Sequence, residues 1–237
     1  ASDSVRPKLI AVTASHQYPL GTTMSLSRRL QLLEWSARSD AWILEDDYDS
    51  GYRYSGRPIA ALQGLDRRGS VLYAGTFSKV LFPALRLGYL VVPQNLVDPF
   101  VRMRDVVDRS PPRVSQMILL DFIEEGHLMQ HIRKMRTLYL SRKNVLTTAL
   151  EEELGDFIDL QESESGLHLV GWLPDGIDDQ ALCQHLLQHD VLALPLSTHC
   201  DTPLDRGGLL IGFACVPEEQ ILRGVRRMSI ALDPFRP

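Results

Sequence analysis

Cysteine is scarce in this chain: Cys183, Cys200 and Cys215 are the only three in 237 residues. The count is odd and no pair stands as Cys-x-x-Cys, which argues against a disulfide framework and against a thiolate zinc site. A reducing, cytoplasmic setting fits that usage. Long apolar runs are missing too, so no segment reaches the about 20 residues that a membrane span needs. The N-terminal Ala1-Ser2-Asp3-Ser4-Val5-Arg6 lacks the apolar stretch of a signal peptide. Positive charge is also in short supply. There are 25 Lys+Arg against 30 Asp+Glu, a formal net charge of -5. A chain without a basic excess has no electrostatic footprint for DNA or RNA. What is present is ordinary for a folded protein: 44% hydrophobic and 23% charged residues, which exclude a disordered chain, a collagen and a coiled coil. The length allows one large or two small domains with a core that needs neither disulfides nor a structural metal.

The apolar segments are punctuated in a regular way. Leu9 to Thr13, Ala41 to Leu44, Val71 to Ala74 and Leu87 to Val92 read as strands of nearly continuous apolar character, which predicts burial on both faces in a mostly parallel sheet. Between the first two, Pro19 and Gly21 mark a turn, and Ser25 N-caps a helix with Leu26, Leu30, Leu33 and Ala37 on its apolar side. Leu96 to Val107, with Pro99 in its first turn, and Val114 to Ile123 read as helices. From His127 to Leu154 the helical period holds for many turns, in a helix long enough to bridge two domains. Beyond Gly155 shorter strands (Phe157 to Leu160, Leu167 to Val170, Leu209 to Phe213) alternate with helices (Asp178 to His189, Pro217 to Leu232). The expected organisation is therefore a large α/β domain over 1–125, a connecting helix over 126–154 and a small α+β domain over 155–237.

Three features fall at predicted strand ends, where open α/β sheets bind ligands. The first is Glu45-Asp46-Asp47-Tyr48-Asp49. It reads as an acidic capping loop, as a divalent-metal site without matching ligands downstream, or as part of a larger site. The second is Gly75-Thr76-Phe77-Ser78-Lys79. Its spacing is not that of a P-loop. Lys79 reads as a solvated lysine, as a phosphate contact, or as an amine able to form a Schiff base once its pKa is lowered. The third is Arg86, which opens an apolar strand, where an unpaired guanidinium is costly and a partner anion is expected. Taken together, a Schiff-base lysine, a phosphate-binding arginine with hydroxyls, an aspartate and a tyrosine are what pyridoxal 5'-phosphate requires.

Ser78-Lys79 followed by Arg86, with Asp-x-Tyr upstream, resembles the fold-type-I aminotransferases of class I/II. The strings Ser15-His16-Gln17-Tyr18-Pro19-Leu20-Gly21, Ile43 to Ser50, Tyr54-Ser55-Gly56-Arg57-Pro58, Ala61 to Asp66 and Gly75 to Lys79 are similar to the MocR subfamily of GntR-type transcriptional regulators, in which a winged-helix DNA-binding domain is fused to an aminotransferase-like domain. The resemblance implies a fold-type-I α/β sheet with helices on both faces and a smaller α+β domain. It implies that Lys79 holds the cofactor covalently, that Asp46 pairs with its pyridine nitrogen and Tyr48 with its phenolic oxygen, and that Thr76, Ser78 and Arg86 bind its phosphate. Asp46 is preferred to Asp47 because it stands two before Tyr48, and alternation lets only one of the two face the ring.

Two departures from true aminotransferases accompany the resemblance. Tyr18 stands where those enzymes place an asparagine before the Pro-x-Gly turn. Leu210 stands where they place the arginine that clamps a substrate carboxylate, a bidentate contact that leucine cannot make. Arg206 and His199 are candidate substitutes toward an effector, with a turn residue and a loop residue as the plainer readings. The resemblance thus implies a sensing domain for an amino compound or for pyridoxal phosphate itself. DNA binding would lie in a domain absent from this chain, which is expected to be the C-terminal portion of a longer, dimeric polypeptide. A genuine aminotransferase and a dimerisation module with a vestigial site are the alternatives. Related enzymes carry a phosphate loop and a stacking aromatic in a stretch not visible before Ser15, so weak or absent cofactor binding, exposed apolar surface and self-association are expected of these 237 residues.

Overall fold

The computed structural model describes residues 7–57, 59–107, 109 and 112–236. Ala1 to Arg6 and Pro58, the last residue of one quoted string, lie outside the described residues. In chain order the elements are β1 (Leu9–Val12), α1 (Leu26–Ser39), β2 (Trp42–Asp47), α2 (Leu62–Leu65), β3 (Val71–Thr76), β4 (Gly88–Val91), α3 (Val97–Val107), α4 (Arg113–Glu124), α5 (His127–Leu154), β5 (Asp159–Leu160), β6 (His168–Trp172), α6 (Asp179–Gln188), β7 (Leu194–Pro195), β8 (Gly208–Gly212) and α7 (Glu218–Leu232). The chain divides into two compact units. The first takes in the described residues up to Tyr18, Thr22–Gly51 and Gly56–Arg133. The second takes in Pro19–Gly21, Tyr52–Ser55 and the chain from Lys134 onward. Among the described residues no helix is long and apolar enough to cross a membrane.

The first unit is built on a sheet of order β1-β2-β3-β4. The first three strands are parallel and β4 runs antiparallel to β3. Its core is thin: Ala14, Ile43, Leu62 and Val71, with Val12, Met24, Leu32 and Leu33 packed against them. Two-sided burial is not what the strands show. Along β2, Ile43 and Glu45 are buried while Asp46 is exposed, and all four residues of β4 are exposed. Exposed apolar side chains continue through α3 and α4, including Phe100, Val101, Val106, Met117 and Ile118.

Helix α1 starts where Ser25 Oγ accepts from the Arg28 N–H, and it stops at Asp40, which takes the left-handed conformation. Its inward face differs from the expected one. Leu26 and Leu30 are about half exposed, whereas Arg29 and Ser36 are buried. The reason is polar. The Arg29 guanidinium donates to the main-chain oxygens of Met24 (3.0 Å), Ala60 (3.1 Å) and Ala14 (2.8 Å). It also lies 3.6 Å from Glu45 Oε1. Glu45 in turn accepts from the Leu62 and Gln63 N–H groups at the start of α2, at 2.9 and 3.0 Å. A buried ion pair survives only with its remaining hydrogen-bonding capacity filled, and here both partners are filled.

The second unit holds an antiparallel sheet of order β5-β6-β8-β7. Leu150 and Leu154 of α5, Leu182 and Leu186 of α6, and Val225 and Met228 of α7 pack with Leu169, Leu209 and Phe213 in one continuous core. Asp178 caps α6 through the Gln180 and Ala181 N–H groups. Buried Asp179 accepts from Ser197 N, Ser197 Oγ and Gly208 N, which ties α6 to the start of β8. Two upstream segments belong to this unit because its polar groups hold them. Gln161 Nε2 donates to the Leu20 oxygen, and His168 Nε2 contacts the Pro19 oxygen. Tyr54 N–H donates to the Glu164 oxygen, and Tyr54 Oη donates to the Gly166 oxygen.

Candidate functional site

The register of the parallel strands sets the site. Asp46 lies opposite Ala74, and Asp47 opposite Gly75, so the C-terminal ends of β2 and β3 are level. Side chains alternate along a strand. Asp46, Ala74 and Thr76 therefore share one sheet face, and Asp47, Tyr73 and Gly75 share the other. On that other face Asp47 is already committed: it accepts from Tyr73 Oη at 2.7 Å and from the Ser50 N–H at 3.2 Å. The Tyr89 ring lies so close over Gly75 that a Cβ there would come within 2.3 Å of it.

Asp46 makes no hydrogen bond or ion pair among the described residues. Its carboxyl is pushed above the ordinary value, first by partial burial and then by the negative charges of Asp47 and Asp49. A carboxylate so placed favours a cationic N–H donor. A cleft of about 720 Å³ opens beside it, lined by Ala11, Thr13, Gln17, Thr23, Ser25, Arg28 and Asp46 among others.

Beyond β3 the chain turns through Ser78–Val80. Thr76 Oγ1 accepts from the Ser78 N–H at 3.1 Å and shapes that turn. Lys79 is exposed on it, with no hydrogen bond or ion pair among the described residues. The Phe77 N–H donates to the Leu87 oxygen at 3.0 Å, which brings Arg86 back alongside Thr76–Ser78. Contrary to expectation, Arg86 is not desolvated. It is exposed, in the left-handed region at φ 50°, closing the short turn Pro83–Leu85. Water can solvate it, and no protein carboxylate pairs with it among the described residues.

Tyr48 follows β2. Its Oη donates to the His16 main-chain oxygen at 2.8 Å and lies 3.2 Å from His16 Nδ1. Burial, then the charge of Asp49, raises its phenol well above the ordinary tyrosine value. The first unit thus brings Asp46, Tyr48, Thr76, Ser78, Lys79 and Arg86 together at one end of its sheet.

The two effector candidates lie in the second unit and are placed differently. Arg206 is held by Asp159 at 3.2 Å and by the main-chain oxygens of Leu173 and Trp172. His199 is exposed at the end of a short 3-10 turn. Leu210 is buried with Val170 and Leu196. Among the described residues no group of three or more His, Cys, Asp or Glu is arranged to hold a metal ion.

Arg29, Glu45, His16 and Asp49 are buried charged or polar side chains behind these strand ends, and residue type alone does not single them out. The signal for Arg29 was its spacing, three after Leu26 and four before Leu33, which puts a cation on the apolar side of α1.

Comparison with known proteins bears on this arrangement. The family model for aminotransferase class I and II matches residues 1–228. The chain is 39% identical to an uncharacterised HTH-type transcriptional regulator, YhdI, of Bacillus subtilis, over 97% of this chain and 49% of that protein. It is 40% identical to a probable rhizopine catabolism regulatory protein, MocR, of Rhizobium meliloti, over 95% of this chain and 46% of that protein. Among solved structures it matches the multiple substrate aminotransferase of Thermococcus profundus, with a TM-score of 0.86 and 31% identity, over 96% of this chain and 56% of that one. The chain therefore spans about half the length of the curated relatives it matches.

Proposed function

This chain belongs to the class I and II aminotransferase family, and on that premise we propose that it is the pyridoxal-phosphate-binding, effector-sensing part of a transcriptional regulator. DNA would be contacted by a domain outside these 237 residues, and the working form would be a homodimer. The identities of 39% and 40% with two regulators, against 31% with a solved enzyme, support a regulator. The observation that carries the cofactor reading is Asp46: a carboxylate with no protein partner among the described residues, on the same face as Thr76 and level with the turn that bears Lys79.

The residues present fit the cofactor. Asp46 would hold a protonated pyridine nitrogen, Tyr48 the phenolic oxygen, and Thr76, Ser78 and Arg86 the phosphate. Lys79 supplies an amine on an exposed turn, not held in an ion pair among the described residues. When bound, pyridoxal phosphate supplies an aldehyde that joins amines and a ring that withdraws electrons. The signal is an amino compound or the cofactor itself, and its effect on DNA is a shift in population between conformations of the polypeptide.

The reading is tested by the absorbance of the chain with excess pyridoxal phosphate. At a pyridoxal phosphate concentration high enough to fill a weak site, wild type is expected to develop the colour of a lysine-bound cofactor and Lys79→Ala to lack it; equal spectra overturn the reading. A genuine aminotransferase is the second reading, favoured by the family match and disfavoured by buried Leu210, since no arginine clamp is made there. Sustained keto-acid production from an amino donor would decide for the enzyme. Release of none, with a spectral change on adding the amine, supports the sensor.

A further inference from the structure

Three side chains behind the end of β2 carry an inference that rests on the cofactor reading above. His16 and Asp49 are buried, with side chains 1% and 4% exposed, and His16 Nδ1 lies 2.7 Å from Asp49 Oδ2. Tyr48 Oη stands 3.2 Å from the same Nδ1 and donates to the His16 main-chain oxygen at 2.8 Å. His16 sits in the string Ser15 to Gly21, and Asp49 in the string Ile43 to Ser50.

The hydrogen positions follow from satisfaction. A buried carboxylate needs a donor, so the Nδ1 hydrogen points at Asp49. Tyr48 Oη can then only share that hydrogen as an acceptor, while its own proton goes to the His16 oxygen. A hydroxyl has one proton and two lone pairs, so one lone pair remains open. The phenol also stays protonated. Asp46 and Asp47 on β2, Asp49 beyond it and Tyr18 on the turn after β1 lie near enough to oppose a second negative charge. Tyr48 is therefore a donor whose single proton has a resting acceptor.

We propose that His16 and Asp49 are positioning residues that hold the Tyr48 hydroxyl, its proton resting on the His16 carbonyl, so that it can be turned toward an anionic ligand oxygen at the strand end. The ligand class is a hydroxylated aromatic aldehyde carrying phosphate, as in the reading above.

The test is the pH midpoint of the colour formed by the chain with excess pyridoxal phosphate. It is measured for wild type, Tyr48→Phe, Asp49→Asn, His16→Asn and His16→Leu, and for the last three combined with Tyr48→Phe. A donor to an anionic oxygen keeps that oxygen ionised, so Tyr48→Phe is expected to raise the midpoint by about one pH unit, the scale of one hydrogen bond to a charged group. Asp49→Asn and His16→Leu should carry that rise only when Tyr48 is present. With phenylalanine at 48, only the direct effect of the altered charge should remain. His16→Asn, which keeps an N–H near the Nδ1 position, should stay close to wild type. Equal shifts in the tyrosine and phenylalanine backgrounds overturn the inference, because the pair would then act through the field or the packing alone. Should His16→Leu not fold, the isosteric Asp49→Asn completes the cycle. Lys79→Ala separates the two claims. A coloured wild type with a colourless Lys79→Ala upholds the cofactor reading whatever the cycle shows, and a colourless wild type overturns both.

Discussion

The two units solve the problem of a core in opposite ways. The second unit keeps Leu150, Leu154, Leu182, Leu186, Leu209 and Phe213 inside and uses acidic side chains at element ends, Asp178 and Asp179, to satisfy backbone donors. The first unit buries an ion pair, Arg29 with Glu45, beside a thin apolar core and leaves most apolar residues of β4, α3 and α4 exposed. Packing thus specifies the second unit, while polar satisfaction specifies the first. The difference explains where the chemistry sits. Carboxylates, hydroxyls and an amine gather at the strand ends of the unit whose structure already depends on charged groups.

That contrast can be broken from either side. Arg29→Met is expected to have the largest effect, about 3–5 kcal/mol, because it leaves Glu45 buried without its cation. Hydrogen exchange should show lost protection in α1 and β2 while α6 and α7 keep theirs. The counterpart, Leu186→Ala, should cost about 2–5 kcal/mol through a cavity and show the reverse pattern. Equal loss in both units for either variant would mean that the two unfold as one.

A smaller effect concerns pH. Burial, then the charge of Asp179, raises the Cys183 thiol from 9.0 to about 11. The unfolded thiol ionises first as pH rises, so the second unit should lose stability between about pH 9 and 11 and keep what it has below that window. Cys183→Ala should flatten this slope in alkaline denaturation, and an unchanged slope would assign it to other groups. The smallest expected effect is a gain. Asp46 has a raised pKa and no partner among the described residues, so its charge opposes folding once pH exceeds the unfolded carboxyl value. Asp46→Asn should stabilise the first unit at neutral pH by less than about 1 kcal/mol, since solvent screens an exposed carboxylate. A loss of stability would mean that Asp46 is structural and not poised for a ligand.

Much of this was legible in the residues. The helix from His127 to Leu154 and the cap at Ser25 stand where the period and the capping rule put them. Asp46 and Thr76 could be assigned to one face because alternation is a property of any strand. Burial was harder to read. β4 is rich in apolar residues, yet it is exposed and antiparallel, because composition does not say which strand lies at an edge. The inward turn of Arg29 depends on the carbonyls of Met24, Ala60 and Ala14 converging on it, and only Met24 is near it in sequence. The link between His16 and Asp49 joins two residues 33 positions apart, from two strings, through a fold that neither string encodes alone.

The chain has only four lysines, Lys8, Lys79, Lys134 and Lys143, so the lysine that takes the cofactor can be identified directly. The chain is mixed with pyridoxal phosphate, the lysine linkage is made permanent with borohydride, and the labelled peptide is identified by mass spectrometry. The label is expected on Lys79, with Lys8, Lys134 and Lys143 at background. A label spread evenly over all four, or concentrated on any other lysine, would contradict a cofactor site at the ends of β2 and β3.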